Sequence, residues 1–229
     1  MDGVFDKAIT DYYNNAFRGP LLINNHYGEP DEMPLGVYFR EEAELSGIES
    51  YALSLCNGHI LDVGAGVGAL SLILQSKGFV VEALENSKIC CDIMQARGVK
   101  KVLHDDFFNL DNSSSYDSLL LMMNGVGICQ TFDMLPLLFG QFSKLLKPGG
   151  QVLFDSSNVS YVYDQTQLTG HYFGEIDYQY EYAGEKGSWF KWLYVDIDTI
   201  RTQALQFGYH MQVLSEDSNG QYLARLKRI

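Results

Sequence analysis

The chain has 229 residues, 46% apolar and 20% charged, which suits one buried core with an elaboration and excludes a disordered chain. Its formal charge of −13 repels phosphate backbones and disfavours a nucleic-acid substrate, whereas a neutral or cationic small molecule is readily accepted. The N-terminal MDGVFDKAITDYYNN lacks the apolar stretch of a signal peptide, no apolar run approaches the roughly 20 residues of a membrane span, and the four cysteines show no CxxC spacing, so a cytoplasmic protein with reduced thiols is expected.

Residues 1–57 read as an N-terminal cap: a helix around Asp6–Phe17, an irregular stretch, then a helix from about Glu41 to Leu55. From Ile60 short apolar runs alternate with helical patterns, as in βα units wound around a parallel sheet. Ile60–Val63 is a buried strand, Ala69–Ser76 a helix closed by Gly78, and Phe79–Leu84 a second strand. Ser87–Arg97 is a helix ended by Gly98, and Val99–Leu103 a third strand. Ser118–Met123 is continuously apolar, as expected of a strand covered on both faces. Met134–Leu146 is a helix stopped by Lys147-Pro148-Gly149-Gly150, and Gln151–Asp155 a fifth strand. Residues 156–195 form an insertion rich in tyrosine and glycine. Glu175–Tyr182 alternates, Gly184–Gly187 turns and Ser188–Val195 returns, which predicts a β-hairpin. Asp198–Phe207 is a helix, and His210–Ser215 and Tyr222–Leu226 pair through a turn containing Asn219-Gly220. The expectation is a single domain whose core spans 58–155 and 196–229.

The sharpest motif is Ile60-Leu61-Asp62-Val63-Gly64-Ala65-Gly66-Val67-Gly68, where a strand gives way to a helix. Glycines there let the backbone turn tightly and let a ligand approach, and the helix N-terminus adds free N–H groups. Gly64, Gly66 and Ala69 also satisfy the pattern of dinucleotide binders, so a nicotinamide-dependent oxidoreductase is the competing enzyme class. Three acids weigh against it. Asp62 would repel a pyrophosphate but can accept from an ammonium group. Glu85 ends the next strand, where an acid can accept from a ribose diol. Asp106 follows the third strand, where an acid can accept from an adenine amino group, and Phe107 beside it can pack on the ring. One acid after each of three successive strands outlines an adenosine-plus-amino-acid ligand.

Asp62–Gly68, Glu85, Asp106 and the Leu145–Gly150 segment (LLKPGG), in this order, resemble the motifs of class I S-adenosylmethionine-dependent methyltransferases from about Ile60 onward. The resemblance implies a Rossmann-like α/β fold with a seven-stranded, mostly parallel sheet whose last strand is antiparallel. It implies S-adenosylmethionine as cofactor, with S-adenosylhomocysteine as product. Asp62, Gly64, Ala65, Gly66 and Gly68 would lie along the methionine moiety, Glu85 and its neighbour Asn86 at the ribose, and Asp106 and Phe107 at the adenine. The segment Asn25–Arg40 is similar to an N-terminal cap of some bacterial members. After the fourth strand the chain has Met123-Asn124-Gly125-Val126-Gly127 in place of an Asn/Asp-Pro-Pro-aromatic motif, which argues against nucleic-acid-base and protein-glutamine acceptors.

Methyl transfer from a sulfonium needs chiefly an oriented acceptor, so the absence of a triad does not count against an enzyme. Asn124, with Gly125, either meets the cofactor or acceptor or simply ends the strand. Arg40 either forks onto the cofactor's carboxylate or pairs with Glu41 or Glu44. His171, in the insertion, is the best histidine for a general base, no pair of residues has metal-ligand spacing, and Trp189 and Trp192 read as hairpin core. The insertion and the cap are expected to cover an acceptor pocket for a small molecule, in a monomer or homodimer. A non-catalytic binding module on the same fold is the remaining alternative.

Overall fold

The computed structural model describes residues 3–111, 113, 115–162 and 171–229. The N-terminal part comprises helix α1 (Gly3–Tyr13), strands β1 (Leu21–Asn24) and β2 (Asp31–Met33), 3-10 turns at Leu35–Tyr38 and Glu42–Glu44, and α2 (Gly47–Leu55). The alternating units follow: β3 (His59–Val63), α3 (Ala69–Ser76), β4 (Val80–Glu85), α4 (Lys88–Arg97), β5 (Val102–His104), β6 (Tyr116–Leu121), α5 (Leu135–Leu145) and β7 (Leu146–Ser157). The insertion carries β8 (Glu175–Tyr182), β9 (Glu185–Lys186) and β10 (Phe190–Leu193), and the chain closes with α6 (Ile197–Gln206), β11 (Tyr209–Glu216) and β12 (Gln221–Arg228).

The main sheet has seven strands in the order β11-β12-β7-β6-β3-β4-β5. β3 to β7 run parallel, and β12 runs against both β7 and β11. The expected mixed sheet with its antiparallel last strand is therefore present. Its central strands are apolar throughout because both faces are covered. Leu119 and Leu121 pack with Leu138 and Phe142 of α5 and Ile200 of α6, whereas Leu120 packs with Leu53 of α2 and Leu74 of α3. Chain order reverses at β3, with β4 on one side and β6 on the other, which makes the carboxyl ends of β3 and β6 the place where such sheets bind ligands.

The stretch expected to be irregular contributes β1 and β2, and they do not stand alone. β1 pairs with β8 (Leu22 opposite Glu181, Ile23 opposite Tyr180), so cap and insertion form one antiparallel sheet in the order β10-β8-β1-β2. The helix expected over Glu41–Leu55 is split. Glu41 and Glu44 close a 3-10 turn, and Ser46 caps a new helix by accepting from Glu49 N at 3.3 Å while Glu49 reaches back to Ser46 N at 2.9 Å. No described helix is long and apolar enough to cross a membrane.

Arg97, the last residue of α4, fastens the cap to the core. Its Nη1 donates to Val67 O at 2.5 Å and Tyr38 O at 3.3 Å, its Nη2 donates to Phe39 O at 3.3 Å, and the guanidinium lies 5.0 Å from the Phe39 ring centre. Burial lowers the Arg97 pKa, yet these three carbonyls have no other described cation to answer them. Arg97→Met keeps the apolar stem and strands the carbonyls, so it is expected to destabilise the protein by roughly 2–3 kcal/mol in urea unfolding. An unchanged midpoint would mean that the cap holds without this contact.

Candidate active site

The loop after β3 is shaped by three left-handed glycines, with φ of 68° at Gly64, 56° at Gly66 and 84° at Gly68. The N–H groups of Gly64 and Ala65 both donate to Leu84 O, at 2.9 and 3.0 Å, which clamps the loop to β4. Their neighbour Gly66 donates to Glu85 Oε2 at 3.0 Å, and Ser87 N donates to Glu85 Oε1 at 2.9 Å. A Cβ on Gly66 would sit 3.2 Å from the Tyr38 ring of the cap, and one on Gly68 would sit 2.7 Å from Val99. Gly68 thus serves packing of α3 against the core, whereas Gly66 faces the cap.

Three buried acids lie toward the carboxyl ends of strands of the main sheet. Asp62, in β3, is 3% exposed and accepts from Ser71 Oγ at 2.6 Å. Glu85, in β4, and Asp155, in β7, are equally withdrawn from solvent. No described Lys, Arg or His side chain forms an ion pair with any of them. Burial consequently pushes the Asp62 and Asp155 carboxyls up to about 6 and raises Glu85 against its backbone hydrogen bonds.

Past β6 the backbone takes two successive left-handed steps, with φ of 60° at Met123 and 55° at Asn124. Such non-glycine positions cost on the order of 1–3 kcal/mol each and persist only where surroundings fix them. Here Asn124 N donates to Asp155 Oδ1 and Oδ2, both at 3.1 Å, Trp192 Nε1 donates to Asn124 O at 3.1 Å, and Ser157 Oγ donates to Asn124 Oδ1 at 3.1 Å. Gln221 Nε2 donates to Asp155 Oδ2 at 2.9 Å, so β12 joins the same node.

Arg40 pairs with Glu49 rather than with Glu41 or Glu44. The reason is local: Glu44 is engaged with the backbone of Glu41, while Glu49 is buried at the start of α2 beneath the guanidinium. Arg40 Nε is buried and has no hydrogen-bond partner among the described residues.

One cleft of about 1160 Å³ gathers these groups. Its walls include Asp62, Gly64, Ala65, Gly66, Glu85, Asn86, Asp106, Phe107, Asn124, Gly125 and Arg40, every cofactor residue expected from the sequence except Gly68. Asp106 is exposed and accepts from Phe108 N at 2.8 Å, and the Phe107 ring is mostly turned into the core against Phe142, leaving Phe108 beside it on the wall. His171 is exposed and does not line the cleft. The cleft continues beneath the second sheet, whose inner face supplies Tyr178, Tyr180, Phe190 and Trp192. Trp192, expected in the hairpin core, lines the cleft, while Trp189 is exposed and stacks on His26 at 4.1 Å. Sequence reasoning missed Asp155 as a site residue, although an acid ending a core strand is the same signal that singled out Asp62 and Glu85.

A family model described as a methyltransferase domain matches residues 40–222. The structure of an S-adenosylmethionine-dependent methyltransferase from Bacteroides fragilis, in complex with S-adenosyl-L-homocysteine, is 34% identical, with a TM-score of 0.89 over 97% of this chain and 93% of that one. A relative from Geobacillus sp. (strain WCH70), carrying the name of a methyltransferase, is 30% identical over 101 residues, 42% of this chain and 41% of that relative. The chain thus spans less than half of that relative's length. The PH0226 protein of Pyrococcus horikoshii OT3, at 14% identity and a TM-score of 0.62 over 85% of this chain and 96% of that one, shares the fold alone. With the glycine loop and the three buried acids on one cleft, these matches establish that the chain belongs to the methyltransferase-domain family, among its S-adenosylmethionine-dependent methyltransferases.

Proposed function

We propose that this chain transfers the methyl group of S-adenosylmethionine to a small molecule held in the same cleft. The observation that carries the reading is the set of buried acids without cationic partners around the glycine loop. They fit a ligand that bears an ammonium group and a diol, and Asp62 would repel the pyrophosphate of a dinucleotide. When bound, the cofactor supplies a methyl group already activated on a sulfonium. Asp62 accepts from its ammonium group, and Arg40, with its spare Nε–H, answers its carboxylate. The backbone of Gly64, Ala65 and Gly66 runs along the methionine chain. Glu85, already fixed by backbone N–H donors, accepts from the ribose hydroxyls beside Asn86. Asp106, Phe107 and Phe108 flank the adenine, and Asn124 and Gly125 border the reacting end.

A second ligand has room. The cleft's about 1160 Å³ exceeds the roughly 300–1,000 Å³ of a typical single-ligand site. The acceptor lies beneath the second sheet, where aromatic side chains exclude water and orient it toward the methyl group. The acid-rich lining and the chain's charge of −13 disfavour a nucleic acid in this place.

Two outcomes are expected. S-adenosylhomocysteine should bind with micromolar or tighter affinity, about −8 kcal/mol, and Gly66→Val should abolish that binding while circular dichroism stays native. A flat calorimetric trace at millimolar ligand, or a Gly66→Val variant that binds normally, would sink the reading. The second outcome concerns Asp62. Its folded pKa of about 6 lies above its ordinary 3.8, so its burial favours the fold at pH 4 and that contribution is lost as the pH rises through 6. Asp62→Asn removes the cost of ionisation. Relative to wild type it should gain on the order of 1–3 kcal/mol between pH 4 and pH 7.5, in denaturant titrations, while losing affinity for S-adenosylhomocysteine.

A further inference from the structure

The acceptor end of the cleft has a composition of its own. The register of the second sheet puts Asp31, opposite Ile23, on the inner face shared by Tyr178, Tyr180 and Phe190. Rings follow one another along that face: Phe5 to Tyr180 at 5.2 Å between centres, Tyr180 to Phe190 at 5.0 Å, Phe190 to Tyr178 at 6.2 Å, and Tyr178 to Tyr194 at 6.5 Å. The hydroxyls of Tyr178 and Tyr194 meet at 3.1 Å. Asp31 and Asp155 line the same cleft as this tyrosine pair.

Positive charge is missing from the same wall. Among the described residues, the cleft is lined by eight carboxylate residues and two cationic ones, Arg40 and Lys191. Arg40 is engaged with Glu49, and Lys191 pairs at 3.2 Å with Asp177, its cross-strand neighbour on the other face of the sheet. Aromatic faces and carboxylates together attract cations, through the ring quadrupole and by direct charge, and repel anions.

We propose that the methyl acceptor is a primary or secondary amine, taken up as its ammonium form between Asp31 and Asp155 against the Tyr178, Phe190 and Trp192 rings. This deepens the methyltransferase reading and rests on it. The ammonium gives one proton to the Asp155 carboxylate, which Asn124 N holds in place. The freed nitrogen lone pair forms the new N–C bond to the methyl group, and the C–S bond breaks with its electron pair going to sulfur. The product leaves as a methylated ammonium beside a neutral thioether, and Asp155 returns its proton to water.

The test uses Trp189→Phe protein, in which Trp192 is the one tryptophan left, loaded with S-adenosylhomocysteine whose binding is measured separately by calorimetry. Three probes of similar shape are titrated by Trp192 fluorescence: phenethylamine, 2-phenylethanol and 3-phenylpropionate. Phenethylamine is expected to bind at least tenfold more tightly than the alcohol, and the carboxylate to leave the fluorescence unchanged. Asp31→Asn, at an exposed position, should erase that preference without moving the affinity for 2-phenylethanol and should leave the cofactor affinity intact. An alcohol or carboxylate that binds as tightly as the amine, or a preference that survives Asp31→Asn, overturns the amine assignment and leaves the methyltransferase reading standing. Failure of S-adenosylhomocysteine to bind overturns both.

Discussion

Charge without counter-charge organises this molecule. Asp62, Glu85 and Asp155 lie toward the carboxyl ends of three strands of one sheet, all are withdrawn from solvent, and no described basic side chain pairs with them. Hydrogen bonds from Ser71, Gly66, Ser87, Asn124 and Gln221 hold the carboxylates in place but do not neutralise them. Burying such groups opposes folding, and the raised pKa values of Asp62 and Asp155 express that opposition. A ligand that brings its own positive charge relieves it. Stability given up in the free protein thereby becomes affinity at the sheet edge, where the glycine loop also leaves room for a backbone-close ligand.

The same acids connect the parts of the site. Glu85 holds Gly66 and the start of α4, so the loop geometry and the helix entry are set by one side chain. Asp155 holds the left-handed exit at Asn124, receives Gln221 from β12 and, through Asn124, meets Trp192 from the second sheet. That sheet joins an N-terminal hairpin to an insertion far along the chain. Glycine loop, cap and insertion therefore meet around one cleft, with Tyr38 of the cap on its wall beside Gly66.

Much of this was legible in the sequence, for physical reasons. The helix Ala69–Ser76 and the strand Glu175–Tyr182 have the boundaries their apolar periods predict, and the continuous run after Ser118 reports a strand covered on both faces. The glycine loop and the acids Asp62, Glu85 and Asp106 could be placed because a parallel sheet brings the ends of its strands to one edge. Other features depend on partners that no local pattern names. β1 and β2 are four and three residues long, too short for a period, and they exist as strands because β8 supplies their neighbour. Arg40 lies near Glu41 and Glu44 in sequence, but the capping box at Ser46 turns Glu49 beneath it. Trp192 reads as hairpin core until the strand-exit carbonyl of Asn124 is seen to accept its indole N–H. His171 drew notice for its residue type and its place in the insertion, yet it is exposed and off the cleft.

If a cation from the ligand answers Asp62, ligand binding is linked to protons. Calorimetric binding of S-adenosylhomocysteine at pH 6, repeated in buffers of different ionisation enthalpy, counts the protons exchanged. With the Asp62 carboxyl near 6 in the free protein and ionised once an ammonium group sits beside it, binding should release on the order of half a proton at pH 6 and almost none at pH 8. In Asp62→Asn the release at pH 6 should vanish. Proton uptake on binding, or a release that persists undiminished in Asp62→Asn, would contradict the account.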